Sequence, residues 1–270
     1  MAESTRRRGR PRSSAEPSGT IQALDRALDI LDLLAAHSGL TLSEVAEKMA
    51  LSPSTAHRVL HTLAARGVAE SDTTTQAWHI GPATFRLGSA FMRRSGIVER
   101  ARPVLRALME NTGETANLGI LNGDAVLFVS QAETHETIRA FFPPGTRSPL
   151  HASGIGKALL AFGRPEALQM LFHGGALQRF TDKTLTTPEA LTEDMARIRT
   201  RGFSFDDEER TSGMRCIAAP VFDLTGDAVA GISVSGPTHR IGPEHVKTLG
   251  AVVAAAASDL SLAMGAERPA

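Results

Sequence analysis

The 270 residues include a single cysteine, Cys216, which excludes an intrachain disulfide framework and multi-cysteine zinc sites and fits a reducing compartment. Net charge is also absent: 29 Lys and Arg balance 29 Asp and Glu, so the whole-chain charge names no partner and only its distribution can. Charge, Gly or Pro interrupts every long apolar run, and the N-terminus lacks a signal peptide's apolar segment, so neither membrane insertion nor export is expected. The reading is a cytoplasmic protein. G-x-S-x-G and H-E-x-x-H are missing, and no residue is assigned as catalytic or metal-ligating.

What is present is apolar content, 42% of residues, enough for one large domain or two ordinary ones. Residues 1–95 hold 12 Lys and Arg against 9 Asp and Glu, and the remainder 17 against 20, so the first part is the basic one. The tail 1–19, MAESTRRRGRPRSSAEPSG, is polar and rich in Arg, Ser, Gly and Pro, a composition that stays disordered. Within it, Arg8-Gly9-Arg10-Pro11 is either an AT-hook core for a narrow minor groove or a basic arm adding phosphate attraction.

Thr41 to Gly67, TLSEVAEKMALSPSTAHRVLHTLAARG, reads as two short helices joined by a tight turn. Thr41 with Glu44 forms a capping-box pattern ahead of Leu42, Val45, Ala46 and Met49. Ser52 caps the second helix, Pro53 takes its first position, and Val59, Leu60 and Leu63 form the buried stripe. Ser52, Ser54, Thr55, His57, Arg58 and His61 are short hydrogen-bonding groups or cations near its N-terminal half, where a recognition helix meets base edges and phosphates. A solvated polar face has the same composition. Next come Val68–Ser71, a turn-rich tip and Ala77–Ile80, a β-hairpin that reads as a wing, with Trp78 packing it onto the helices. Thr20 to Ala36 reads as a supporting amphipathic helix capped by Thr20, with Ile21, Leu24, Ala27, Leu28, Leu31 and Leu34 at helical spacing.

The run from Ile21 through Gly81, with LDRALDILDLLA, LTLSEVAEKMALSPSTAHRVLHTLAARG and WHIGP, resembles the winged helix of the IclR family of bacterial transcription regulators. The resemblance implies double-stranded promoter DNA as partner, a linker helix that helps pair subunits, and a homodimer or a dimer of dimers. The expected organisation is tail 1–19, winged helix-turn-helix 20–82, linker helix 83–97 and effector-binding domain 98–266.

From Val98 the pattern is α+β. A helix to Gly113 precedes strands at Thr115–Leu121, Ala125–Gln131 and Thr137–Phe142, with Asn122-Gly123-Asp124 as hairpin turn. Helices follow at Gly156–Phe162, Pro165–Phe172 and Pro188–Arg201, then strands at Gly202–Asp206, Cys216–Asp223 and Ala228–Ser235 and a helix from Pro243 to Ala263. This predicts an antiparallel sheet covered by helices, and the resemblance implies a GAF-like effector domain.

Leu150–Ala158 feeds a glycine-rich loop into a helix, a ready anion site. It is not a P-loop, because His151 stands six residues before Lys157 and Ala158 follows it; Leu159 spoils a dinucleotide fingerprint. A small carboxylate is the natural anion, and a glycine turn needed only for packing is the bland alternative. Ser233 and Ser235 point to one interior face of a strand, Cys216 starts a neighbouring one, and Asp206 is read as turning inward while Asp207, Glu208 and Glu209 face water. LHASGIGKALL, GFSFDDEE, GMRCIAAPVFD and GISVSGP are similar to motifs of the glyoxylate-sensing members of the family. That similarity implies effector contacts from the backbone of Gly154 and Ile155 and from the side chains of Asp206, Cys216, Ser233 and Ser235, with glyoxylate as the effector and no cofactor. Ile155 stands where such members carry Ala, a departure that bears on pocket size. Three alternatives stand beside this reading: another small or aromatic carboxylate as effector, a keto-acid enzyme with Cys216 as nucleophile and Asp206 or His151 as acid-base group, and a C-terminal domain that only oligomerises.

Overall fold

In the computed structural model, which describes residues 21–163, 165–173 and 175–266, helices start where capping residues stand. The tail with Arg8 and Arg10, and the Thr20 cap, lie outside those residues. Helix α1, Gln22–Ala35, has Ile21 at its N-cap without a side-chain cap bond. Its buried residues are Ile30 and Leu34, whereas Ile21, Leu24 and Leu28 stand in solvent, so the expected apolar stripe is only partly covered within one chain. In α2, Leu42–Lys48, the capping box forms as read: Glu44 N–H donates to Thr41 Oγ1 and Thr41 N–H to Glu44 Oε2. Helix α3, Pro53–Ala65, starts at Ser52, whose hydroxyl accepts from Thr55 N–H at 3.2 Å. Strands β1, Ala69–Ser71, and β2, Trp78–Ile80, pair antiparallel as the wing. Trp78 is buried, and its backbone exchanges two hydrogen bonds with Leu40. The indole thus joins Val45, Ala56 and Leu60 in the core of this first unit. Helix α4, Pro82–Ser95, follows the wing.

The chain divides between Arg94 and Ser95 into two compact units. The second begins with α5, Ile97–Thr112, stopped by Gly113 in the left-handed region at φ 72°. A hairpin of β3, Thr115–Asn122, and β4, Ala125–Ala132, turns through Gly123 and Asp124. The predicted strand Thr137–Phe142 is absent, and the β4 edge pairs instead with β5, Arg147–Pro149. Phe142 stacks on Phe128 with ring centroids 5.0 Å apart. Gly145 N–H and Thr146 C=O take the backbone of Phe128, and the two prolines between Phe142 and Gly145 supply no N–H for a ladder. Helices α6, Gly154–Phe162, α7, Pro165–His173, and α8, Pro188–Arg201, follow. Then come β6, Ser204–Asp207, β7, Met214–Phe222, β8, Ala228–Pro237, and, after a single 3-10 turn at Pro243–His245, α9, Val246–Ala263.

Six strands form one antiparallel sheet in the order β5-β4-β3-β8-β7-β6. Paired residues share a face, so register separates two chemistries. One face carries Ala116, Leu118 and Ile120 with Ala230, Ile232 and Val234 and with Ile217, Ala219 and Val221. Helices α5 and α9 pack against the sheet and against each other. The other face carries two polar rows under α6: Thr115, Ser235, Cys216 and Asp206, then Gln131, Asn117, Ser233, Ala218 and Ser204. Contrary to the sequence expectation, Pro243–Ala263 is long and apolar enough by composition to cross a membrane, with mean hydropathy 1.4. Val253, Ala257 and Leu260 of α9 are nevertheless buried, and Ser261 accepts from Phe222 N–H.

Helix α6 begins at Gly154, two residues earlier than the periodicity predicts, because Ser153 caps it by accepting from Gly156 N–H. A Cβ at Gly156 would lie 2.3 Å from Leu150 O and 2.6 Å from its Cα, so only glycine lets the loop fold back under the helix. Gly156→Ala is expected to lower stability by about 1–3 kcal/mol. A chemical-denaturation midpoint equal to that of the unaltered protein would contradict this close approach.

Candidate functional sites

On α3 the sequence-predicted DNA residues fall into two groups. Ser52, Ser54 and Thr55 form a hydroxyl knot at the helix start, with Ser52 Oγ 3.0 Å from Ser54 Oγ and 2.8 Å from Thr55 Oγ1. Ser52 is therefore committed first to capping. His57, Arg58 and His61 are exposed one turn further along. The imidazoles of His57 and His61 lie 4.1 Å apart, and His61 meets the edge of Trp78 at 5.5 Å. The wing thus braces the outward face of the helix. Arg58 has no ion-pair partner among the described residues, which leaves its guanidinium available for an external anion.

In the second unit, Gly154, Ile155, Asp206, Cys216 and Ser235 line one cavity of ≈ 30 Å³, room for roughly two water-sized groups. Ser233 does not line it: it sits in the next row of the sheet, fully buried. Sequence reasoning missed Phe128, Ala140, Phe142, Ser148, Thr211, Met214 and the two cations Arg210 and Arg215, which also line the wall. The long connection after β4 supplies Ala140 and Phe142, and its irregular path hid them. In the polar rows of the sheet, Thr115 Oγ1 and Asn117 Nδ2 are buried with no hydrogen-bond partner in the protein, and the Ser233 hydroxyl has only the Cys216 thiol beside it. Such groups are costly unless something polar meets them.

The first-turn amides of α6, those of Gly154 and Ile155, have no carbonyl within the helix to bind. The Ile155 side chain packs away into the core, its Cγ2 and Cδ1 seated over Gly119 and Gly231, where a Cβ would come within 3.2 Å and 2.8 Å. Its bulk is accommodated by the sheet. Gly154 lies over Cys216, whose Sγ is 2.7 Å from where a Cβ would be. Burial, and next the Asp206 carboxylate, pushes the Cys216 thiol up to about 11, against the lowering effect of Ser235, Ser233 and the Gly154 N–H.

Asp206 is buried as read, and Glu209 N–H donates to its Oδ1 at 2.8 Å. Glu209, expected in water, is buried instead, because Lys157 lies fully buried beneath α6 and its ammonium needs acceptors. Lys157 Nζ donates to Glu209 Oε1 at 2.5 Å and to Phe205 O at 2.7 Å, and sits 2.9 Å from Asp194 Oδ2. Two of its hydrogens are donated, and Asp194 completes the set as an ion pair whose Oδ2 makes no hydrogen bond. The sequence signal was available: a lysine as the fourth residue of an otherwise apolar helix cannot be buried unpaired. His151 bonds Gln178 O through Nε2 at 2.9 Å and lines no part of the cavity. Burial lowers its basicity.

A nucleophilic cysteine needs a lowered pKa, and this one is raised. Cys216 in the folded protein is expected to react with a disulfide reagent at pH 8 more than tenfold slower than a free thiol. Labelling at the rate of the denatured chain would overturn that electrostatic picture.

Two family models match the chain: the IclR helix-turn-helix domain over residues 23–73, and the bacterial transcriptional regulator IclR C-terminal domain over residues 89–262. The HTH-type transcriptional regulator BhcR of Paracoccus denitrificans is 66% identical, over 100% of this chain and 99% of its own length. The transcriptional repressor IclR of Escherichia coli is 38% identical over 95% of this chain and 94% of its own. An IclR homolog of Microbacterium hydrocarbonoxydans solved in complex with 4-hydroxybenzoate shares 25% identity at a TM-score of 0.77, covering 89% of this chain and 99% of that one. With a winged helix at one end, a helix-covered antiparallel sheet at the other, and relatives that align over nearly the full length of both, the chain belongs to the IclR family of DNA-binding bacterial transcriptional regulators.

Proposed function

We propose that this regulator senses a small keto acid, glyoxylate, in the cavity beneath α6 and thereby controls genes of glyoxylate metabolism. The observation that carries the reading is the convergence of Gly154, Ile155, Asp206, Cys216 and Ser235 on a cavity of only ≈ 30 Å³. A two-carbon acid suits that volume far better than a benzoate ring. Its carboxylate meets the α6 amides and the Ser235 hydroxyl, while the keto or hydrated end reaches Asp206. Cys216 then serves as a soft wall and a weak donor, not as a nucleophile, and the protein is not an enzyme. The homolog bound to 4-hydroxybenzoate supports the competing reading of an aromatic acid, which requires the Phe128 and Phe142 wall to open.

On the DNA side, α3 enters the major groove with Arg58 and the histidines at the base edges or phosphates, and the basic tail adds attraction along the backbone. Ile21 at the N-cap of α1, Leu24 and Leu28 within it, and Phe85 and Leu87 of α4 stand in solvent, and such apolar surface supports a homodimer or a dimer of dimers acting on promoter DNA in the cytoplasm. The effector alters operator affinity in proportion to its preference for one of two protein arrangements.

Calorimetric titration should give saturable glyoxylate binding and none with 4-hydroxybenzoate at equal concentration; the reverse order would establish the aromatic reading. Ser235→Ala should weaken glyoxylate binding by about 0.5–1.5 kcal/mol. In anisotropy titrations against upstream DNA, Arg58→Ala should cost about 1–3 kcal/mol of operator affinity. Unaltered affinity would remove α3 from the DNA interface.

A further inference from the structure

One cation on the cavity wall has no acceptor to bind. Arg210 lines the cavity beneath α6 and its Nη1 is buried without a hydrogen-bond partner. Among the described residues it enters no ion pair. A guanidinium carries its donors in a fixed fork and cannot shed its charge, so burying part of that fork without an acceptor is costly. Asp206, on the same wall, acts on Arg210 through space, while its own Oδ1 takes the Glu209 N–H.

The other cations around the cavity are matched. Arg215, also on the wall, donates from Nε to Asp207 at 2.6 Å and from Nη1 to Ile241 O at 2.8 Å. Lys157 is met by Glu209 and Asp194, and Lys183 by Asp207 and Glu208. Arg210 is thus the uncommitted cation that a small anion entering the cavity meets.

The connection from β6 to β7 holds that arginine in place. Thr181 Oγ1 donates to Glu208 O at 2.8 Å, and Thr184 Oγ1 to Glu209 O at 2.6 Å. On the far side Gly213 N–H donates to Glu208 Oε2 at 2.8 Å. Glu208 stands at φ 63°, in the left-handed region that a non-glycine residue seldom adopts, and the bend brings Asp206 and Arg210 onto one wall. The guanidinium lies over the Phe180 ring at 4.9 Å, and Phe180 N–H donates to Thr184 Oγ1 at 3.0 Å. One threonine therefore pins both the loop that carries Arg210 and the ring beneath it. Stacking fixes the plane of the fork and leaves its donors free.

We infer that Arg210 is the counter-ion of the effector's carboxylate and makes the cavity select acids of a single negative charge, an inference that rests on the small-acid reading above. Gly154, Ile155, Ser235 and Arg210 line the same ≈ 30 Å³, so a carboxylate there meets amides, a hydroxyl and a full positive charge together. Helix-end amides supply only partial charges, whereas a guanidinium supplies a whole one and aligns a carboxylate through parallel N–H donors. That alignment orients a two-carbon acid, which has no bulk to be oriented by, and leaves its far end to Asp206. A dianion of the same size would set its second carboxylate against Asp206, and Arg215 is already bound to Asp207. A neutral molecule would leave Arg210 unmatched.

The test is calorimetry of the full-length protein with three two-carbon probes that differ in charge: glycolamide, glyoxylate and oxalate. The unaltered protein is expected to bind glyoxylate about tenfold or more tighter than either of the others. Arg210→Gln should weaken glyoxylate about tenfold or more, and Arg210→Lys, which keeps the charge and loses the fork, should fall between the two. Chemical-denaturation midpoints establish that each variant is folded, and the probe order in the unaltered protein stands as a test even where a variant is not. Glycolamide or oxalate bound as tightly as glyoxylate overturns the inference. So does an unchanged glyoxylate affinity in folded Arg210→Gln, or an equal loss in the Gln and Lys variants, which would reduce the residue to its stack on Phe180. Each of these results leaves glyoxylate sensing intact. Failure of glyoxylate to bind the unaltered protein overturns the small-acid reading and this one together.

Discussion

One buried ammonium organises the second unit. Lys157 on α6 reaches α8 through Asp194, β6 through Phe205 O and the following loop through Glu209, so the helix that offers free amides to the cavity is tied to the segment that carries Asp206. An ion pair of this kind is costly to bury and more costly to break, about 3–5 kcal/mol when one partner is lost. Its persistence in a domain that could have used an apolar side chain is better explained by geometry than by stability.

The sheet below shows how one set of strands serves two purposes. Its apolar face is packed with Ile, Val, Leu and Ala against α5 and α9, and supplies the rigidity. Its other face is lined by small and polar residues, with glycines at 119 and 231, and lets α6 approach closely enough for Gly154 to rest on Cys216. Close approach is what makes the cavity small. A small cavity with amides on one side and an acid on the other discriminates by size and charge before any specific contact is made.

Much of this was legible in the sequence, for reasons that differ by element. Thr41 and Ser52 gave away their helices because capping is local chemistry. The Gly123-Asp124 turn and the pairing of Ser233 with Ser235 on one face follow from backbone geometry alone, as does the inward turn of Asp206. What escaped depended on distant partners. Residues 137–142 alternate like a strand, yet the β4 edge they would have filled is taken by 147–149. Glu209 looked like part of a solvated acidic run because its partner, Lys157, lies 52 residues away. Ser233 has the expected orientation and lies one row away from the cavity, a distinction only the register of three strands can make.

The seating of Ile155 over Gly119 and Gly231 has a consequence for how this site can vary. Positions 155 and 231 share one volume, so side-chain mass removed from Ile155 leaves a hole that a methyl group at 231 can refill, whereas a Cβ at 119 would still lie 2.5 Å from Val126 Cγ1. Exchanges of that kind conserve the height of α6 above the sheet. An exchange between 155 and 231 therefore leaves the aim of the amides fixed, and the side chain at 155 taken alone is a poor guide to what the pocket admits.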